Sequence, residues 1–167
     1  MNVKSKLLKK NKINVFDYNI FLYDFDGLLT DNYFYLSHDG TEFTKLFRSD
    51  ELAIKIFKSL GIEQIILSSS YNKTIKFYSK KWKIKSFIGV KDKSILVKNL
   101  YKKNKALKIC YFGNDNNDLT AAKKCDLVIC PRDAYPKMFK LCNYYTSVKG
   151  GHGVLREFLE KTVKLPL

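Results

Sequence analysis

The stretch FLYDFDGLLTD, residues 21–31, constrains this chain more than any other. An apolar run over Ile20 to Asp24 reads as a short buried strand, and it ends in two aspartates, Asp24 and Asp26, one residue apart. Paired carboxylates repel each other, and burial raises their cost further. A divalent cation relieves both problems. The fold must therefore bring other polar groups to the end of this strand.

Downstream, strand-like and helix-like runs alternate. Helical patterns are expected over 50–60, 72–81, 93–103, 118–124, 134–141 and 153–164, and strands over 64–67, 108–112 and 126–130. This alternation predicts an α/β fold, a doubly wound and mainly parallel sheet covered on both faces. One segment breaks it. YFYLSHDGTEFTKLF, residues 33–47, has two strand-like arms around His38-Asp39-Gly40, and Asp-Gly is a strong hairpin signal. A β-hairpin is thus inserted after the first strand. Residues 1–18 read as a basic N-terminal extension and 19–167 as a single domain, a size that supports one core.

Composition narrows the function classes. With 46% hydrophobic and 28% charged residues the chain reads as globular. It has no apolar run long enough to span a membrane and no signal-type apolar segment near its start, so a cytoplasmic protein is expected. Four cysteines without CxxC spacing read as free thiols. The net charge of +15 rests almost wholly on scattered lysines. Only three of the 31 basic residues are arginines. Without an arginine cluster or a zinc-finger spacing, a nucleic-acid partner is not expected, and the charge suits a small anionic substrate instead.

In open parallel sheets ligands bind beyond the carboxyl ends of the strands. Ser68 follows the run QIIL, Asn114 and Asp115 follow KICYFG, and Lys93 stands at a helix start. An aspartate-rich set lacking His and Cys suits Mg²⁺. One aspartate can then serve as a nucleophile forming an aspartyl-phosphate, and the other as general acid and base. A serine hydroxyl and a lysine ammonium complete the set for phosphoryl transfer.

The motifs DFDGLLTD, ILSSS, DKS and GNDNND, in that order, resemble those of the haloacid dehalogenase (HAD) superfamily of phosphatases over roughly residues 20–163. DGTEFTKLFRSD, VKDK and GGHGVLREF are similar to a narrower group without a large cap domain. That group comprises the 3-deoxy-manno-octulosonate 8-phosphate phosphatases, the acylneuraminate 9-phosphate phosphatases and phosphatase domains associated with acylneuraminate cytidylyltransferases. The resemblance implies a Rossmann-like fold and Mg²⁺-dependent hydrolysis of a phosphorylated 2-keto-3-deoxy sugar acid. It also implies a homotetramer joined through the hairpins, with neighbouring subunits closing each site.

Carried onto this sequence, the resemblance makes Asp24 the nucleophile and Asp26 the acid/base, whose backbone carbonyl also faces the metal. Ser68 and Lys93 contact the phosphoryl group. The usual third metal ligand is an acidic residue where this chain has Asn114. Either Asn114 ligates with Asp115 in support, or Asp115 takes over, with Asp118 behind them. Thr30, Asp31, Arg48, Asp50 and Ser69 are the expected substrate contacts, Arg48 and Asp50 lining the entrance. Where the group resembles Gly-Arg or Gly-Glu after the serine, this chain has Ser69 and Ser70, so the particular sugar is not specified. Two alternatives remain: a phosphatase for another small phosphate or a nucleic-acid end, and a non-catalytic tetramerisation domain beside a cytidylyltransferase.

Overall fold

The computed structural model describes residues 13–163. Its elements run β1 (Ile20–Tyr23), β2 (Tyr35–Leu36), β3 (Glu42–Phe43), α1 (Arg48–Ser59), β4 (Glu63–Leu67), α2 (Lys73–Trp82), β5 (Lys85–Phe87), α3 (Ser94–Lys103), β6 (Ile109–Phe112), α4 (Leu119–Ala122), β7 (Leu127–Cys130), α5 (Pro136–Phe139), β8 (Tyr144–Tyr145) and α6 (Val154–Thr162). Single 3-10 turns occupy Val15–Asp17 and Asn116–Asp118.

Six strands form one sheet in the order β5-β4-β1-β6-β7-β8, and every pairing in it is parallel. All four residues of β1 are buried because both faces of the sheet are covered. Successive side chains alternate between the faces. Phe21 and Tyr23 join the cluster holding Ala53, Ile54 and Phe57 of α1 and Val154, Leu155, Phe158 and Leu159 of α6. Ile20 and Leu22 join the opposite cluster with Val97 of α3, Ala121 and Ala122 of α4 and Met138 of α5. The parallel doubly wound architecture expected from the alternation is thus the one observed.

The hairpin is also present. Strands β2 and β3 pair antiparallel as a separate two-stranded sheet, with Tyr35 opposite Phe43 and Leu36 opposite Glu42. Its arms are shorter than the span 33–47 anticipated. Tyr33, Phe34, Leu36 and Phe43 are more than half exposed, so nothing among the described residues covers its apolar side.

Two sequence expectations need correction. The proposed extension over 1–18 does not hold at its end, because Val15 is fully buried in the main cluster with Ile13 and Tyr18 packed against it. The folded unit therefore begins by residue 13, and the rest of that segment lies outside the described residues. The helix expected over 134–141 is a single turn at Pro136–Phe139. The edge strands β5 and β8, of three and two residues, are too short to leave a periodic signal.

The centre of the larger cluster is aromatic. The Phe158 ring meets those of Phe21, Phe57, Phe112 and Tyr144 at centroid distances of 5.1 to 6.2 Å. Phe158→Ala is expected to cost about 3–5 kcal/mol, the usual range for removing a buried aromatic ring. A urea midpoint matching wild type would contradict this placement of the core.

Candidate active site

Strand register assembles the site. Tyr23 at the end of β1 pairs with Ile66 of β4 and with Phe112 of β6, so Asp24, Ser68 and Asn114 emerge side by side at one carboxyl edge. The Asp24 backbone N–H donates to the Phe112 carbonyl at 2.9 Å, fixing the first residue beyond the strand. Ser68 is buried, its N–H donates to the Phe87 carbonyl at 2.9 Å, and its Oγ accepts from the Ser70 N–H at 3.1 Å.

Lys93, just ahead of α3, reaches into this edge with a side chain entirely shielded from solvent. Its Nζ lies 2.7 Å from Asp24 Oδ1 and 2.7 Å from Asp118 Oδ1. The Tyr111 hydroxyl donates to that same Asp118 oxygen at 2.6 Å. Asp118 Oδ2 accepts from the backbone N–H of Asn114 at 2.9 Å and of Asp115 at 3.2 Å. One carboxylate therefore binds the lysine and shapes the loop after β6. Burial pulls the Lys93 pKa down, but the charges of Asp24 and Asp118 outweigh it and the net shift is upward. Burial, joined by the charge of Asp118, pushes Asp24 up to about 8 in spite of Lys93. Asp26 is also raised, by burial first and then by Glu42. More negative charge converges here than one lysine neutralises, and further positive charge would stabilise it.

The Asn114 side chain shows where that charge fits. One end of its amide lies 3.2 Å from Asp24 Oδ2 and 3.1 Å from the Asp26 carbonyl oxygen, both acceptors. With its oxygen at that end, three oxygens converge with no proton between them, an arrangement suited to a hard divalent cation. Asp115 is turned elsewhere. Its carboxylate accepts from the Asn116 N–H and caps the 3-10 turn in a capping box with Asp118. Of the two ligands left open by the sequence, Asn114 is the one that faces Asp24 and Asp26. Among the described residues no three His, Cys, Asp or Glu side chains form a metal-binding group, since the third donor here is an amide and the second a backbone carbonyl.

The expected substrate contacts divide. Thr30 lines a cavity of about 380 Å³ that opens over Asp26, together with Tyr33, Phe34, Glu42 and Tyr71. Its Oγ1 also accepts from the N–H groups of Gly27 and Asn32, bracing the loop. Asp31 accepts from the Tyr35 hydroxyl at 2.6 Å and from Lys45 Nζ at 3.2 Å, tying the hairpin to its base. It faces a neighbouring cavity of about 600 Å³ lined also by Lys45, Lys149 and His152. Ser69 Oγ accepts from Asn117 Nδ2 at 3.2 Å beside the loop after β6.

Arg48 and Asp50 do not line the entrance. Arg48 is exposed at the start of α1, in a groove with Glu51, Lys55 and Lys81 and with none of the residues above. Asp50 is buried, and its Oδ1 accepts from the Arg156 N–H at 2.9 Å at the start of α6. The first turn of a helix has orphan N–H groups that a carboxylate satisfies well. That demand, rather than a ligand, explains Asp50. In the other direction, sequence reasoning missed Tyr111, hidden in the apolar pattern of β6, and placed Asp118 behind the metal ligands without its contact to Lys93. The spacing of Asp118 from Gly113 was its visible signal.

No protein-family model matches the chain. Its fold is that of solved HAD family hydrolases, and a curated phosphatase is among its relatives. A structure solved as a candidate HAD family hydrolase from Streptomyces avermitilis has a TM-score of 0.84 at 27% identity, covering 90% of this chain and 87% of that one. The chain is also 26% identical over 141 residues to the 3-deoxy-D-manno-octulosonate 8-phosphate phosphatase KdsC of Escherichia coli K12, covering 83% of this chain and 75% of that protein. The corresponding phosphatase of Moraxella catarrhalis, solved with magnesium, phosphate and KDO, superposes with a TM-score of 0.80. It covers 89% of each chain and, at 24% identity, shows the likeness of fold alone. The chain thus resembles phosphatases of the KdsC kind. Among the described residues, only the hairpin of β2 and β3 stands between β1 and α1.

Asp50 generates a prediction about stability. Burial raises its pKa to about 7 against the pull of its backbone hydrogen bonds, and its Oδ2 has no hydrogen-bond partner among the described residues. A carboxyl held above its unfolded value favours folding when protonated, so that contribution is lost as pH rises from about 4 through about 7. Asp50→Asn keeps an oxygen for the Arg156 N–H and removes the charge. Its stability relative to wild type should therefore increase between about pH 4 and pH 8. Parallel unfolding curves across that range would contradict a buried, unpaired Asp50.

Proposed function

We propose that the chain is a Mg²⁺-dependent phosphomonoesterase working through an aspartyl-phosphate on Asp24. The observation that carries this reading is the convergence of Asp24, the Asp26 carbonyl and the Asn114 amide at one edge, with buried Lys93 touching Asp24. Mg²⁺ would be held by those three groups and would supply positive charge opposite the phosphoryl oxygens.

The chain's own residues supply the remaining chemistry. An Asp24 carboxylate oxygen attacks phosphorus, and the bond from phosphorus to the sugar oxygen breaks. Asp26 gives its proton to that leaving oxygen, a role helped by its upward-shifted pKa. It then takes a proton from the water that attacks phosphorus and releases Asp24. Lys93 and Ser68 steady charge on the transferring group. Asp118 and Tyr111 hold Lys93 in place and do not touch the substrate.

The substrate we infer is a phosphorylated 2-keto-3-deoxy sugar acid, an octulosonate 8-phosphate or nonulosonate 9-phosphate. Support comes from the names of the relatives and from a net charge of +15, which attracts small anions. A non-catalytic role is disfavoured because two buried carboxylates sharing one lysine are a costly way to join two loops when apolar packing would serve.

Three tests follow. Asp24→Asn should abolish hydrolysis of the sugar phosphate while preserving the fold, and chelation of Mg²⁺ should do the same. Wild-type turnover in either case would remove the mechanism. Asp26→Asn should slow the sugar phosphate by about 10²–10⁴-fold, the range for losing a general acid. An aryl phosphate, whose leaving group needs less protonation, should lose less, so equal losses would contradict the role given to Asp26.

Assembly provides the third test. A lone two-stranded ribbon is marginal in water, and this one leaves Phe34 81% and Phe43 57% exposed. Burial against other copies of the hairpin in a homotetramer would cover both and bring neighbours to the mouth over Asp26. The double variant Phe34→Asp/Phe43→Asp should sediment as smaller species with reduced activity on the sugar phosphate. A fully active wild-type monomer would refute the assembly.

A further inference from the structure

We propose that Asn114 is a positioning residue with two settings. Without metal its amide nitrogen donates to Asp24 Oδ2 and to the Asp26 carbonyl, closing the site, and metal binding requires the amide to turn over. This inference rests on the metal site proposed above and concerns a residue that sets this chain apart from the acidic pattern of the group it resembles.

The geometry leaves the amide little else to do. Its backbone is pinned at both ends, by the N–H donating to Asp118 Oδ2 at 2.9 Å and by the carbonyl accepting from the Tyr135 N–H at 2.8 Å. The side chain lies against Gly27, where a Cβ would come within 2.1 Å of the amide. Translation is blocked on that side, and rotation about the last side-chain bond remains. At one end of the amide stand two acceptors, and at the other only donors. In the absence of a cation the nitrogen belongs next to Asp24 and Asp26, because only it carries protons to give. When a cation lies between the oxygens, the carbonyl end belongs there instead. An aspartate at this position is acceptor-only when ionised and has no such second setting.

Two consequences separate this chain from one carrying the acid. The metal-free site is internally satisfied, so the protein without metal is comparatively stable. Metal binding is weakened, both by the missing charge and by the two hydrogen bonds it must break. The closed setting also engages Asp24 Oδ2, while Oδ1 is already held by Lys93 at 2.7 Å and the Phe25 N–H at 2.8 Å. Both oxygens of the proposed nucleophile are thus occupied until the amide turns.

The test compares wild type with Asn114→Asp by thermal unfolding and by calorimetric Mg²⁺ titration, both proteins at the same pH. The variant without metal should melt about 3 °C or more below wild type, since about 1 kcal/mol corresponds to 2–4 °C at this chain length. It should also bind Mg²⁺ about tenfold more tightly, the direction expected of an added carboxylate ligand. Tighter binding with an unchanged metal-free melting temperature would overturn the closing role while leaving the metal site in place. Failure of both proteins to bind Mg²⁺ would overturn the proposal and the metal site together. Wild type gives an independent readout in case the variant folds poorly. The Asn114 side-chain NH₂ resonances should be protected from exchange without metal and should move on adding Mg²⁺. Unprotected resonances that Mg²⁺ leaves in place would overturn the proposal.

Discussion

The two loops that carry the aspartates and Asn114 at the carboxyl edge of the sheet are tied together by Lys93. It is a buried ammonium between two carboxylates at 2.7 Å, and buried ion pairs rarely favour stability over a well-packed apolar alternative. Its place is explained by what it holds. Through Asp24 it anchors the loop after β1, and through Asp118 it anchors the loop after β6. Those two loops carry every group that faces the proposed metal. Removing the ammonium would leave two carboxylates buried and uncompensated, the costly half of such an arrangement.

The second constraint is steric. The segment Lys149 to Gly153 lies directly on the loop after β1, where a Cβ on Gly150 would fall 2.1 Å from the Gly27 carbonyl oxygen. This contact joins the start of α6 to the aspartate loop. It also places Lys149 and His152 beside Asp31 and Lys45 in the larger cavity. Among the described residues, the cavity over Asp26 itself has Glu42 as its other charged wall residue and no lysine or arginine. Apart from Lys93, cations for the proposed anionic substrate would therefore come from the neighbouring cavity or, in the proposed tetramer, from another subunit.

Much of this was legible in the sequence because the long elements and the motifs obey simple periods. The run at β1, the helix of α1 and the Asp-Gly turn of the hairpin each carry a local signature, and all three appear in the structure. What escaped was decided by tertiary contact. Asp50 was expected at the entrance because it follows the hairpin, but the orphan N–H groups of α6, about a hundred residues later in the chain, draw it into the interior. The choice between Asn114 and Asp115 stayed open until the capping of the Asn116–Asp118 turn turned Asp115 away. Tyr111 reads as an apolar β6 residue, and only the fold shows its hydroxyl on Asp118. Val15 is apolar in a basic segment, and nothing local distinguishes it from an exposed leader residue.

The central claim is that Asp24 carries the phosphoryl group during turnover. Its most direct test is a rapid acid quench of wild-type protein with Mg²⁺ and a sugar-acid phosphate radiolabelled on phosphorus, followed by peptide mapping. The account predicts label on the peptide containing Asp24, formed and lost within the time of one turnover and sensitive to hydroxylamine as an acyl phosphate is. Label on another peptide, or full turnover with none on the protein at any quench time, would contradict it.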